Sequence, residues 1–238
     1  MCRTILAAAA LTAAAAPGAL AVESFRFSGD ETFTEACNLG VSDLDCELAV
    51  AEMRGGNGRG NGDWEAGLRD GPSFAPLRAL QVPMLDEAET DAETALSVFA
   101  APFALDHDGA GTLSLVYGPW FGETAAAGPD AVAATGAVDL SGMRSMFIRA
   151  RANEGDERKP GSTRLEGLRF EAGGAVHALG DLAPSGTVAE YLRISDAEFG
   201  LAWRLTGIAV YEWPGAFPNG SRLGHTVKLT TVEVAGGF

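Results

Sequence analysis

From residue 95 onward the chain is a succession of short apolar and β-branched runs cut by turn residues, and that rhythm admits few architectures. Runs at 96–105, 112–117, 133–140, 145–150, 164–171, 176–179, 187–194, 203–212 and 222–234 are each long enough for one strand. Asp-Gly, Pro-Gly and Asn-Gly pairs punctuate them, the pattern of an antiparallel sandwich or barrel. Within 145–150, Met146, Ile148 and Ala150 share one face and Phe147 and Arg149 the other. Leu168 and Phe170 alternate in the same way with Arg169 and Glu171, so each of these strands is expected to bury one face and wet the other.

The N-terminal third carries less pattern. The segment 22–28 alternates and reads as a first strand, whereas 42–53 and 86–96 are expected to form minor helices. Between them, Gly55 to Asp63 is so rich in glycine and asparagine that a loop is predicted. The expectation is an all-β, jelly-roll-like antiparallel β-sandwich: one domain over 22–238, loop-rich across 22–94, with its core strands in 95–236.

Residues 1–21 read as a secretory signal peptide. Arg3 precedes an apolar run from Ile5 to Ala16, Pro17-Gly18 breaks it, and small residues lead to cleavage near Ala21. The run is too short to span a bilayer, and no apolar helix or basic cluster follows the last strand, so the mature chain is expected to carry no membrane span. Secretion or periplasmic residence follows. Cys37 and Cys46 are then the thiols of the exported part, and in an oxidising compartment they are expected to form a disulfide. A formal net charge of −15 repels nucleic acid and anionic lipid alike.

Candidate functional residues are few. Asp106-His107-Asp108-Gly109 places alternate oxygens before a glycine, which suits Ca²⁺, but the chain then runs straight into a strand and leaves the ligand set incomplete. A hairpin turn is the favoured reading, with a structural Ca²⁺ on Asp106 and Asp108 as the alternative and no other cofactor. His107, His177 and His225 share no local ligand spacing and are expected at the surface or at strand edges. No Gly-x-Ser-x-Gly elbow occurs. Trp120 and Trp213 are candidates for an aromatic platform that stacks on sugar rings. Against it, Trp203, Leu205, Ala209, Tyr211 and Trp213 share one parity while Ile208 and Val210 fill the other, as in a strand buried on both faces.

Five segments of the C-terminal half, Ser145 to Arg151, Leu165 to Phe170, Tyr191 to Ile194, Leu205-Thr206-Gly207 with Glu212-Trp213-Pro214-Gly215, and Ser221-Arg222-Leu223 leading into Val227-Lys228-Leu229, carry a family likeness. Over about 96–234 the chain resembles the choice-of-anchor exported domains, most closely the W type. The resemblance implies a bacterial exported β domain with no assured catalytic residues, usually followed by a surface-sorting tail. No such tail reads here, which puts surface attachment in doubt and favours release or periplasmic residence. The expected function is that of a non-catalytic extracellular or cell-envelope interaction module, its partner an unidentified polysaccharide or protein. A carbohydrate-binding module is the alternative, and a hydrolase assembled from separate loops ranks third.

Overall fold

The computed structural model describes residues 22–28, 47–55, 64–70, 76–82, 89–91, 96–118, 132–151, 161–185, 189–195, 197–214 and 224–231. Among them are β1 (Glu23–Ser28), β2 (Glu47–Gly55), β3 (Trp64–Asp70), β4 (Pro76–Val82), β5 (Glu89–Thr90), β6 (Leu96–His107) and β7 (Thr112–Tyr117). The order continues with β8 (Val132–Ala137), β9 (Ser145–Arg151), β10 (Ser162–Ala172), β11 (Ala175–Leu182), β12 (Ala189–Ser195), β13 (Trp203–Pro214) and β14 (Gly224–Thr230). Sheet A runs β1-β12-β9-β14-β2-β3-β4, and sheet B runs β11-β10-β13-β6-β7-β8 with β5 on β6. Every pairing is antiparallel. The β-sandwich expected from the alternation is therefore the architecture.

The two sheets close over one hydrophobic core. Sheet A contributes Ala51, Met53, Leu68, Met146, Ile148, Leu192 and Leu229, and sheet B contributes Phe99, Leu105, Leu115, Phe170, Leu205 and Tyr211. Burying a side chain of this size is worth about 1.5–3 kcal/mol, so the facing rows hold the layers together without directional bonds. In β13 the odd-numbered Trp203, Leu205, Ala209, Tyr211 and Trp213 all lie inside, each 3% exposed or less. Gly207 shares their parity for a steric reason. A bulge between Glu166 and Arg169 turns Leu168 inward, and a Cβ on Gly207 would stand 2.9 Å from Leu168 Cδ2 and 3.0 Å from Phe103 Cε1. The β10–β11 hairpin turns on Gly173 and Gly174, whose φ of 57° and 80° suit the two central residues of a type I′ turn.

Two sequence expectations fail. No helix occurs among the described residues, and the larger part of the expected helix at 42–53 is strand β2, with β14 on one side and β3 on the other. Glu, Leu, Ala and Met favour helix in isolation, but Ala49, Val50 and Ala51 bury both faces of a central strand. Of the second expected helix, Glu89–Thr90 and Leu96 are strand residues. The wet outer face also fails on sheet A. Phe147, Tyr191, Lys228 and Arg193 all point away from the core, yet each is at most 8% exposed. Sheet B keeps the expected pattern, with Glu166, Arg169 and Glu171 outside Leu165, Leu168 and Phe170.

Candidate functional site

The Asp106–Thr112 segment is a hairpin. The Asp108 N–H donates to Thr112 O at 3.1 Å, while Asp108 Oδ1 accepts from the N–H of Ala110 at 2.7 Å and of Thr112 at 2.9 Å. Those bonds hold the carboxyl at a pKa of about 2, below its usual 3.8, with the Thr112 N–H the largest cause. Asp108 is thus the clamp of the turn. Gly109 has φ 75°, and an added Cβ would lie 2.9 Å from Ala202 N, so the tip packs directly on the 201–202 backbone. Asp106 points outward and pairs with Arg204 Nε at 3.3 Å. Partial burial raises its pKa against the pull of Arg204, with Glu171 adding to the rise. Among the described residues, no group of three or more His, Cys, Asp or Glu side chains is placed to hold a metal.

Trp213 is 2% exposed, inside the sandwich with Trp203 and Tyr211, where its ring presents no face to a sugar. Trp120, Cys37 and Cys46 lie outside the described residues, as do 1–21 and residues 56–63 of the glycine-rich segment expected to be a loop.

The histidines correct the sequence reading. His177 lies on the edge strand β11, but His107 and His225 are only 5% and 2% exposed. His107 Nδ1 lies 3.2 Å from Leu201 O. His225 projects from β14 into the core and meets two phenols of the opposite sheet: Tyr117 Oη is 2.5 Å from Nε2, and Tyr211 Oη is 2.7 Å from Nδ1. A neutral ring donates at one nitrogen and accepts at the other, so both phenols are satisfied at once. Burial pushes the imidazole down to about 3 and both phenols up, which fixes all three as neutral. This cluster is sealed from solvent, with Tyr117, Tyr211 and His225 each at most 2% exposed. Its role is to tie one sheet to the other. The parity that puts His225 on one face with Val227 and Leu229 was the sequence clue to it.

What faces solvent with chemical variety is the outer side of sheet B. Register aligns Glu171, Arg204, Asp106, Ser114 and Thr135 as one polar row across β10, β13, β6, β7 and β8. Ser114 and Thr135 join their hydroxyls at 3.2 Å. The next row is Arg169, Thr206, Ala104 and Val116. Arg169, Arg204, Pro102, Ala104, Val116 and Ile208 are among the residues that line a shallow cleft of about 500 Å³. A second cleft of about 330 Å³ continues past Arg204 to Asp106, Glu171 and Val176. Neighbouring Arg164 is committed elsewhere, at 2.6 Å from Glu166 and 2.5 Å from Glu212. The face therefore offers guanidinium donors, carboxylate and hydroxyl acceptors, and apolar side chains on one sheet surface.

No family model matches the chain, and no curated protein is significantly similar to it.

Proposed function

We propose that the chain is an exported, non-catalytic β-sandwich that works as an extracellular or cell-envelope interaction module, and that the outer face of sheet B is its binding surface. The kinship is with the choice-of-anchor domains that its C-terminal half resembles, and the destination is the periplasm or the medium once the leader is removed near Ala21. The observation that supports this reading most is the five-strand polar row beside the Arg169–Arg204 cleft. Strands hold such groups at fixed spacing, so an extended ligand crossing the sheet meets donors and acceptors at regular intervals with little ordering cost in the protein. Both partner classes, a polysaccharide or a secreted protein, carry repeating groups of that kind.

The test is an array of bacterial envelope polysaccharides and secreted proteins, probed with the wild type and with the Arg169→Glu/Arg204→Glu double variant. At least one ligand is expected to be held by the wild type and weakened about tenfold or more in the variant, equivalent to about 1.4 kcal/mol. Unchanged melting of the variant would place the loss in recognition. A wild type that holds nothing, or a variant that binds equally well, contradicts the proposal. Adding Ca²⁺ or EDTA to the same array examines a structural ion on Asp106 and Asp108.

A further inference from the structure

The two sheets end side by side at β1 and β11, and one side chain spans the gap between them. Arg26, in the middle of β1, reaches across to the edge of sheet B. Its Nη2 donates to Leu179 O at 2.6 Å, and its Nη1 donates to Asp181 O. Glu190, across the β1–β12 ladder, lies 3.8 Å from Nη1 and also accepts from the Ala183 N–H at 2.8 Å, just past the end of β11. Among the described strands β11 pairs with β10 alone and forms the edge of sheet B. Open edges accept strands from other molecules unless something occupies their carbonyls.

We infer that Arg26 is an edge guard: its guanidinium occupies the two carbonyls of β11 that a second copy of this chain would otherwise use for antiparallel β11–β11 pairing. The local backbone supports the same end. A bulge between Leu168 and Arg169 distorts the guarded half of the β10–β11 ladder, while the half from Ala175 to Ala178 pairs without a shift and carries Val176, which is 61% exposed. A two-fold operation would place that regular, apolar half of one copy against the guarded half of the other, so freeing the carbonyls opens the whole edge.

Sedimentation velocity over a concentration series tests this with the full mature chain. The wild type is expected to sediment as one chain, and Arg26→Ala to shift to twice that mass or more. Arg26→Lys, whose single ammonium cannot span both carbonyls as the planar fork does, is expected to fall between them and carries the test should the alanine variant fail to fold. Adding Ala178→Glu, at the middle of β11 where the two-fold brings the same residue of both copies together, to Arg26→Ala puts like charges at the paired edge and is expected to restore the single-chain mass. Association that Ala178→Glu leaves unchanged would trace to general destabilisation and overturn the inference. So would a wild type already paired, or folded Arg26 variants that stay single at every concentration.

Discussion

Lowering the pH from 7 to 4 should weaken the fold through the His225 ring. Burial holds that imidazole at a pKa of about 3 in the folded protein, whereas the unfolded chain takes the proton near 6.5. Between those values the unfolded state binds more protons, so stability is complete above the unfolded pKa and falls as pH drops toward the folded one. The slope is at most about 1.4 kcal/mol per pH unit, which from 6.5 to 4 amounts to about 3 kcal/mol. Against a total of roughly 5–15 kcal/mol, that is a large fraction. The geometry gives the reason. Tyr117 and Tyr211 engage both ring nitrogens, Met53 and Ala150 flank His225 in the sheet, and Phe103 lies 5.0 Å away, so a second ring proton would take away an acceptor and leave a charge among neutral groups. Asp108 titrates in a separate window, because its support is present above 3.8 and lost only as pH falls through about 2. The assay is urea unfolding at pH 7, 6, 5 and 4 for the wild type and for His225→Gln, which keeps one donor and one acceptor but cannot titrate. The variant should cost about 1–3 kcal/mol at pH 7 and then lose about 3 kcal/mol less than the wild type by pH 4. Parallel curves for the two proteins would refute the reasoning.

Three further outcomes follow from the packing. Lys228 donates to Glu47 inside sheet A, both residues are at most 7% exposed, and burial lowers the lysine pKa, so Lys228→Met or Glu47→Gln alone should cost about 3–5 kcal/mol by denaturant unfolding. The double variant Glu47→Leu/Lys228→Met should cost clearly less than the two single losses added together. Gly207→Ala should destabilise by about 1–3 kcal/mol, because Leu168 and Phe103 already fill the space that its methyl would take, and thermal melting reads the change. Calorimetry with Ca²⁺ should give no heat at the Asp106–Asp108 hairpin, since Asp108 Oδ1 already accepts two N–H groups and Asp106 pairs with Arg204.

The strands from β6 to β14 were legible because their apolar residues alternate or fill both parities between clear turn residues. β1 was legible from its alternation as well, but β2 to β5 were not. β2 packs helix-favouring residues into a central position, β3 has Gly67 at its centre, and β4 opens on Pro76, so local preference and final placement disagree. Tertiary neighbours decide those cases, and one sequence does not display them. The Asp108 turn was readable from its own few residues. The Tyr117–His225–Tyr211 tie and the Arg26 guard both join strands distant in sequence, and only the topology brings them together. Trp213 shows the converse: an aromatic that suggested a sugar platform was better predicted by its parity with Leu205 and Tyr211 than by its chemistry.

The decisive measurement is an NMR titration of the isotopically labelled protein with the ligand recovered from the binding array, followed by mass analysis of that ligand. The account predicts shift changes concentrated at Ala104, Arg169, Arg204, Thr206 and Ser114 on sheet B, and a ligand returned chemically intact. Changes centred elsewhere on the sandwich, or a ligand returned cleaved, would contradict it.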